Sequence, residues 1–482
     1  MLNNEEYAAR DGLGLAALVA SGDVTADELM QTALAAIERL NPTINAVCRT
    51  LPDGAAAIKE GLPKGPFTGV PFLTKELIPH AKGVRCDAGS RLAEGLVAPH
   101  DSSLMARFRR AGLVHIGGTQ TPELGYSATT ENKLFGPVHN PWNLAHSAGG
   151  SSGGSAASVA AGIVPIAHAS DGGGSIRIPA ACNGLVGLKP SRDRVPSGPD
   201  MADPLCGLAV EFAVARTVRD VAALLDAVSG ADPGAPGLPI PPAQPFLNLA
   251  AIPPGKLRIA WTTRTTDGDA VHPECTAAVE KTVAVLESLG HTVVEDSPRF
   301  DWESYLKLTH IIWTAFTVSF ADALSAATGR KPGPDTLEAV TLACYEDGKR
   351  FSAADLINAM EFGNVVARKV GQFFEGVDVL VSPTMARPPA RLGEIDQDRA
   401  GMSAMDWTQE VFAYCPFTLL FNTTGQPAIS LPLHWTADGL PVGVQFAARL
   451  GEEATLLRLA SQLEGAQPWI GRRPPVHVAA RA

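Results

Sequence analysis

Two clusters of glycine and serine lie on either side of a single short helix–strand pair in this 482-residue chain. The first cluster, at residues 147–155, runs into a segment of small residues at 156–161 that predicts a helix. A strand is predicted at 163–167, and the second cluster follows at 171–175. One helix–strand pair between two loops brings the loop ends towards the same place. We therefore predict a functional site built from both clusters.

The sequence around these clusters alternates between helix and strand patterns. Residues 12–40 predict two amphipathic helices, and Thr25 and Glu28 have the spacing of a capping box. Residues 67–75 predict a buried strand that ends in a lysine, and a helix at 103–111 precedes the next strand. Such alternation is typical of an α/β fold. We predict a single large domain with a central mixed, mostly parallel β-sheet covered by helices on both faces.

The chain divides into segments of different character, although we expect all of residues 1–482 to form one domain. In order, the predicted segments are a helical N-terminal segment at 1–60, the core that holds both clusters at 61–230, a Pro/Gly-rich connection at 231–256, a helical cap-like region at about 302–375, and a return to the sheet at 376–482.

Composition excludes several classes of protein. The net charge of −11 argues against nucleic acid or an anionic membrane as the main partner, and no run of 18 apolar residues occurs. The seven cysteines are scattered and form no CxxC pair, so neither a zinc site nor a disulfide framework is indicated. The first ten residues lack the apolar segment of a signal peptide. We expect a cytoplasmic protein without metal or cofactor, and with no nucleic-acid or membrane partner.

Ser175 directly follows three glycines, and this order favours a nucleophile. Without a Cβ, glycine lets successive backbone N–H groups point into one cavity and lets a ligand approach the main chain. The N–H groups of Gly172, Gly173, Gly174 and Ser175 are therefore candidate donors to an oxyanion, with Ser175 Oγ as the attacking atom. One such donor is typically worth about 3–4 kcal/mol of transition-state stabilisation.

A serine nucleophile needs a base, and Lys75 is the candidate. Ser175 does not lie in a G-x-S-x-G elbow, and none of the eleven histidines points to a Ser-His pair. Lys75 ends an apolar strand, so burial would lower the pKa of its amine and provide a neutral base. The alternative is a lysine at a strand end that reaches solvent, and position alone favours that alternative.

Several ordered motifs resemble the amidase-signature family. They are residues 149–157 (GGSSGGSAA), 171–180 (DGGGSIRIPA) and 187–191 (GLKPS), and the lysine context at 69–76 (GVPFLTKE) matches the upstream lysine of that family. The resemblance extends over nearly the whole chain. It implies the amidase-signature fold and hydrolysis of carbon–nitrogen bonds in a small-molecule amide or carbamate.

The resemblance also implies a role for each residue of a catalytic triad. Ser175 matches the nucleophile that forms an acyl-enzyme, Ser151 the proton relay and Lys75 the general base. In the family the bridging serine follows a cis peptide bond, here Gly150–Ser151, which would aim Ser151 at both partners.

Further residues near the clusters are candidates for supporting roles. Asp171 and Arg177 flank the nucleophile, and we expect them to hold its loop by pairing with each other or with nearby backbone. Ser152 either forms a hydrogen bond within its loop or caps the following helix. Tyr126 either lines the substrate pocket or belongs to the core, and Gly150 is a second candidate for substrate binding.

Three functions are compatible with the sequence. The first is a stand-alone amidase. The second is the A-type subunit of a glutamyl-tRNA amidotransferase, although that protein typically has Gln where this chain has Ile178. The third is a non-catalytic protein whose glycine-rich loops bind an anion, although the G-x-x-x-x-G-K-[ST] form of a phosphate loop is missing.

Within the family, the segments at 140–144 and 462–469 are similar to bacterial hydrolases of cyclic nylon oligomers and to urethanase-like amidases. Gly172 and Gly174 make the nucleophile loop richer in glycine than the common form of the family, which predicts a more open loop that admits bulkier acyl groups or carbamates. A homodimer is the quaternary state that we expect if the chain self-associates.

Overall fold

The computed structural model describes residues 2–78 and 80–480 of the chain. The strands in this part are β1 (Val47–Thr50), β2 (Pro71–Lys75), β3 (Val114–Thr119), β4 (His139–Asn140), β5 (Asn143–Ser147), β6 (Ile166–Asp171), β7 (Val186–Lys189), β8 (Val210–Ala215), β9 (Arg258–Trp261), β10 (Thr292–Glu295), β11 (Val379–Pro383), β12 (Ala428–Trp435) and β13 (Pro441–Ala448).

The helices in the same part are α1 (Asn4–Ala8), α2 (Gly12–Ser21), α3 (Ala26–Ile44), α4 (Asp53–Glu60), α5 (Ser103–Arg110), α6 (Gly153–Ala160), α7 (Arg177–Asn183), α8 (Val218–Val228), α9 (Phe246–Ala250), α10 (Pro273–Ser288), α11 (Trp302–Thr328), α12 (Ala339–Gly348), α13 (Ala353–Gly376), α14 (Ala404–Tyr414), α15 (Leu419–Thr423) and α16 (Glu453–Ala466).

The sheet contains eleven strands in the order β1-β3-β2-β6-β8-β7-β12-β13-β11-β9-β10, and β4 and β5 form a separate hairpin. The prediction of one mixed sheet in an α/β fold is confirmed. Every residue of β2, β6, β8 and β13 is buried. A strand that is buried along its whole length has both faces of the sheet covered, which agrees with helices on each side.

The expectation of a mostly parallel sheet is wrong. Among the ten neighbouring strand pairs of the eleven-stranded sheet in the described residues, four are parallel and six are antiparallel. The parallel pairs join β3, β2 and β6 on one side of the sheet and β11, β9 and β10 on the other. Between them lie antiparallel pairs such as β12–β13, whose connection of five residues, 436–440, is short enough for a hairpin and too short for a parallel crossover.

Two local predictions illustrate how sequence patterns translate into this fold. The capping box is confirmed, because Thr25 Oγ1 accepts from the Glu28 amide and Glu28 Oε2 accepts from the Thr25 amide. The strand predicted at 163–167 is instead β6, Ile166–Asp171, which pairs antiparallel with β8 up to Asp171 opposite Val210. The strand therefore runs directly into the second glycine cluster.

Helices α11, α12 and α13 lie between β10 and β11; α12 and α13 each pack against α11, and α14 packs against α11 and α12. Their buried faces form a second hydrophobic cluster, separate from the main core around the sheet, that includes Tyr305, Ile312, Trp313 and Phe412. By length and composition alone, α11 is apolar enough to cross a membrane. Because one face of α11 packs in this cluster, we interpret it as a core helix.

Candidate active site

The candidate catalytic residues lie where strands end and loops lead into helices. Lys75 is the last residue of β2, and Ser175 follows β6 across the glycine cluster and precedes α7. Ser151 lies in the first cluster, before α6. Since β2 and β6 are parallel neighbours in the sheet, their carboxyl ends meet at one edge. This topology brings both clusters and the lysine together. The residue patterns predicted that the clusters meet, and the family resemblance implied the place of the lysine.

Lys75 is buried, with 1% of its surface exposed. Its Nζ donates to Ser151 Oγ at 2.6 Å and to Ser170 Oγ at 2.8 Å. The alternative that position alone favoured, a lysine reaching solvent, is therefore wrong. Neighbouring chain segments close over the end of β2, and this long-range packing could not be read from the strand itself.

The environment of Lys75 sets the protonation of its amine. Burial lowers the pKa of Lys75 from 10.5 to about 7, because the charged form loses its hydration, while the Glu211 and Asp171 carboxylates partly oppose this change. A pKa of about 7 leaves a large neutral fraction of the amine at neutral pH. A neutral amine has the free electron pair that a general base requires.

The peptide bond between Gly150 and Ser151 is cis. A Cβ on Gly150 would overlap the backbone carbonyl oxygens of Thr129 and Ser127, so only glycine fits at this position. Close backbone packing accounts for Gly150, which does not line the cleft beside Ser175. The structure thus gives no support to Gly150 as a substrate contact.

Ser175 lies at the surface of a small cleft and is 8% exposed. In the part of the chain that the structure describes, no hydrogen bond joins the Ser175 hydroxyl to Ser151 Oγ. The Lys75–Ser151 hydrogen bond of the expected relay is therefore present, whereas the Ser151–Ser175 hydrogen bond is not formed. Hydrogen bonds at catalytic sites are often long before substrate binds and tighten in the complex.

The backbone amides around Ser175 differ in their availability. The Gly174 amide donates to Asp171 Oδ1 at 2.7 Å, so its hydrogen is already used inside the loop. Among the described residues, the Gly172, Gly173 and Ser175 amides have no hydrogen-bond partner. The expected set of four oxyanion donors is thereby corrected to three free amides.

The two additional glycines do not open the loop. Gly174 has a φ of +134°, and a Cβ there would overlap Thr418 Oγ1, so this position demands glycine. A Cβ on Gly172 would lie 2.9 Å from a methyl group of Leu205 and 3.5 Å from the Trp313 ring. The expectation of a more open loop is wrong, because these side chains fill the space that the glycines leave.

Asp171 and Arg177 form a fully buried ion pair. Arg177 Nε donates to Asp171 Oδ2 at 2.9 Å and Nη2 donates to Oδ1 at 2.8 Å. Asn422 Nδ2 also donates to Asp171 Oδ1, at 2.8 Å. Burial raises the pKa of Asp171, but the Arg177 guanidinium, the Asn422 amide and the Lys189 side chain together outweigh burial and lower this pKa to about 2. The ionised carboxylate thus holds the Gly174 and Ile176 amides and shapes the nucleophile loop.

Ser152 connects the first cluster to β6. Its Oγ donates to the Ser170 carbonyl at 3.2 Å and accepts from the Ser170 amide at 3.3 Å. The alternative of a helix cap is wrong, because Ser152 occupies the N-cap position of α6 without a side-chain capping bond. The bond to β6 links the Ser151 loop to the strand that leads into the Ser175 loop.

A buried group of two histidines and one glutamate lies behind Lys75, and the sequence patterns did not indicate it. The Lys75 amide donates to His168 Nδ1 at 3.2 Å, so the ring proton is on Nε2, which donates to Glu211 Oε2 at 2.7 Å. His80 Nε2 lies 3.7 Å from the same oxygen. Glu211 was detectable as the one charged residue of the apolar segment VEFAVA.

Potential ligand atoms of His80, His168 and Glu211 lie within 4.8 Å of one another, a composition that could hold a metal ion. Metal binding by His168 Nε2 would require loss of its proton while Nδ1 already accepts a hydrogen bond. Burial lowers the pKa of His168 to about 3, so the ring is neutral. We therefore interpret the three side chains as a hydrogen-bonded group that holds the Lys75 backbone in place.

The cleft beside Ser175 is lined mainly by apolar and aromatic side chains. Tyr126 lines it and is buried, with its ring stacked on Trp313 at a centroid distance of 4.7 Å. Phe412 and Ile178 form other parts of the wall. Tyr126 therefore belongs to the cleft and also to the core. Trp313 lies in α11, and the spacing of aromatic residues in a helix does not show which of them face a cavity.

The chain is similar to known amidases over nearly its whole length. A family model described as Amidase matches residues 28–457. The 6-aminohexanoate-cyclic-dimer hydrolase of Paenarthrobacter ureafaciens is 39% identical, with 96% of each chain covered. A structure of 6-aminohexanoate cyclic dimer hydrolase complexed with substrate is similar with a TM-score of 0.93 and 36% identity, covering 97% of this chain and 99% of that chain. A glutamyl-tRNA(Gln) amidotransferase structure from Thermotoga maritima is similar with a TM-score of 0.74 and 26% identity, covering 99% and 98%.

Proposed function

This chain belongs to the amidase signature family and hydrolyses amide bonds, and we propose that it does so through Ser175, Ser151 and Lys75. The observation that carries the proposal is the 2.6 Å hydrogen bond between the buried amine of Lys75 and Ser151 Oγ, beside a serine that lines a cleft. A lysine with a lowered pKa next to a hydroxyl is an attested way to activate a serine nucleophile.

The acylation step begins with two proton transfers. Neutral Lys75 accepts the Ser151 hydroxyl proton, and Ser151 Oγ accepts the proton of Ser175, whose oxygen attacks the amide carbonyl carbon. The Ser151–Ser175 hydrogen bond forms when substrate binds and Ser175 turns towards Ser151. The Gly172, Gly173 and Ser175 amides donate to the oxyanion. The carbon–nitrogen bond then breaks as Ser151 donates a proton to the leaving nitrogen and regains one from the Lys75 ammonium, which leaves Lys75 neutral again.

The acyl-enzyme is resolved by water along the same route. Water attacks the ester carbonyl carbon and gives its proton through Ser151 to Lys75, and Ser175 recovers a proton as the carboxylic acid leaves. Asp171 and Arg177 act as positioning residues, because they hold the loop amides and touch no reacting atom.

The covalent intermediate provides the experiment. We expect the wild-type chain, quenched with acid during turnover of a p-nitrophenyl ester, to gain the acyl mass on the peptide that contains Ser175. Ser175→Ala should lose the adduct and all amide turnover. Ser158→Ala is the matched control, since Ser158 Oγ donates to a carbonyl of its own helix away from the cleft. An adduct on another residue would contradict the assignment.

The substrate is proposed to be a neutral small-molecule amide, with cyclic amides first. The similarity to two cyclic-dimer hydrolases supports this choice, and the cleft offers no charged side chain to a charged substrate. Carbamates are a second substrate class. Parallel kinetics on cyclic amides, linear amides, p-nitroanilides and carbamates would rank these classes.

We also propose a cytoplasmic location, which the seven free cysteines support, and self-association as a homodimer. Nucleic acid and membrane are not proposed as partners, because the net charge is −11. We do not favour the amidotransferase function, because the cyclic-dimer hydrolases are much more similar to this chain.

A further inference from the structure

A buried indole N–H in the wall of the cleft has no hydrogen-bond partner. Trp313 is 8% exposed, and its Nε1 is unpaired among the residues that the structure describes. Buried indole N–H groups normally find an acceptor. Trp142, Trp407 and Trp469 each donate to a backbone carbonyl, whereas Trp435 Nε1, on a half-buried side chain away from the cleft, is also unpaired among the described residues. The unpaired donor of Trp313 therefore requires an explanation.

The six-membered ring of Trp313 faces the nucleophile loop. A Cβ built on Gly173 would lie 3.3 Å from Trp313 Cζ2, and one built on Gly172 would lie 3.5 Å from both Cζ2 and Cη2. Cζ2 is bonded to the ring carbon that carries Nε1, so the unpaired N–H lies next to the part of the ring that faces this loop. The plane of the Trp313 ring is fixed by its stacking on the Tyr126 ring.

The other groups around the cleft do not satisfy this donor. Val411, Phe412 and Ile178 present apolar surface, and Tyr126 Oη is already bonded to Thr408 Oγ1 at 3.2 Å. A ligand that fills the cleft is therefore mostly apolar and uncharged. An acceptor atom on such a ligand would find the indole N–H as a ready partner.

We propose that Trp313 Nε1 donates a hydrogen bond to a neutral oxygen of the substrate other than the oxygen of the scissile carbonyl. Trp313 is then a specificity residue that selects amides carrying a second carbonyl group. A substrate without that oxygen leaves the buried donor unpaired, and a charged substrate loses hydration without gaining an ionic partner. This inference rests on the proposed function, because it concerns the substrate of the same site.

A carbonyl scan tests the inference. The parent substrate is N-butylhexanamide, and each analogue replaces one methylene that is not adjacent to the amide, on the acyl or the amine side, by a carbonyl group. We expect at least one analogue to exceed the parent in kcat/KM by about tenfold with the wild-type chain. In Trp313→Phe this preference should fall to within about twofold, since the phenyl ring keeps the stacking but has no donor.

Trp435→Phe is the matched control, because Trp435 Nε1 is also unpaired among the described residues but Trp435 lies in β12, away from the cleft. It should keep the wild-type preference. If Trp313→Phe does not fold, 3-benzothienylalanine at position 313 keeps the shape of the ring and replaces the N–H by sulfur. Circular dichroism and thermal unfolding report on folding in each case.

The outcomes separate this inference from the proposed function. Equal losses for parent and analogues in Trp313→Phe would overturn the inference, and would place the indole at the scissile oxygen or in a structural role. A wild-type chain that hydrolyses the parent but prefers no analogue would overturn it as well. Only a wild-type chain that hydrolyses neither the parent nor any analogue, nor any amide of the wider panel, would contradict the proposed function.

Discussion

Lys75 shows how a single side chain acquires its chemistry from its surroundings. In water, a lysine amine is protonated at neutral pH and cannot accept a proton. Here the amine is enclosed and keeps two serine hydroxyls as its hydrogen-bond partners. Hydroxyl groups solvate a charge less well than bulk water, so the neutral form becomes accessible.

The rate of amide hydrolysis should follow the deprotonation of Lys75. Because burial lowers the pKa of Lys75 to about 7, and only the neutral amine can act as base, kcat/KM should rise between about pH 6 and 8 and level off above. Initial rates on a neutral p-nitroanilide from pH 5.5 to 9 would measure this. Lys75→Arg, which stays protonated, should be inactive throughout, and a flat wild-type profile would rule out a lysine base.

Glu211 should shift the pH dependence of amide hydrolysis without contacting the substrate. Its carboxylate raises the pKa of Lys75, so Glu211→Gln should lower this pKa and move the acid limb to lower pH. Glutamine keeps an acceptor for His168 Nε2, which preserves the hydrogen bond. The pH dependence of kcat/KM in both chains is the measurement. A limb that stays in place or moves upward would contradict this electrostatic role.

At the scale of elements, the proposed nucleophile Ser175 lies in a strand–loop–helix unit formed by β6, residues 172–176 and α7. The Asp171–Arg177 pair joins the end of the strand to the start of the helix. Arg177 Nη1 also donates to the Thr418 carbonyl and to Gln445 Oε1, which connects this unit to α15 and β13. Buried polar contacts therefore hold the loop at residues 172–176 in place.

Removal of Arg177 should strongly destabilise the protein. Arg177→Met leaves the Asp171 carboxylate buried without its cationic partner, which typically costs about 3–5 kcal/mol in the free energy of unfolding. Urea unfolding at neutral pH would measure the loss. Lys307→Met is the control, because the Lys307–Glu303 pair is exposed and screened by solvent, so its loss should change the free energy of unfolding much less. Equal effects of both substitutions would contradict the role of the buried pair.

At the scale of the whole molecule, distant parts of the chain converge on the site. Strands β2 and β6 bring Lys75 and Ser175 to one sheet edge, and α11 and α14, which follow more than a hundred residues later, complete the cleft with Trp313 and Phe412. The proposed triad and the cleft wall thus come from one polypeptide chain. The helices between β10 and β11 supply part of the cleft wall.

The isolated chain should therefore be active without other proteins. We expect the purified protein to hydrolyse an amide in the absence of glutamine, tRNA and any other polypeptide, because one chain carries the complete site. Activity should follow the protein peak in size-exclusion chromatography. An activity that appears only on addition of another polypeptide would instead favour the amidotransferase interpretation.

Much of this protein could be predicted from local sequence. The glycines before Ser175 predicted exposed backbone donors, because the missing Cβ is a local property. The alternation of helices and strands predicted an α/β fold with one central sheet. The resemblance to a family added Ser151 and Lys75, which residue patterns alone did not favour.

Tertiary structure decided what depends on contacts between distant segments. The burial of Lys75, the use of the Gly174 amide by Asp171 and the unpaired indole of Trp313 each depend on which groups the fold brings close. The antiparallel centre of the sheet has the same origin, since strand direction follows from connections and not from composition. The sequence by itself determined the chemical groups of the site, and the fold determined their protonation and their partners, because both depend on distance and on the exclusion of water.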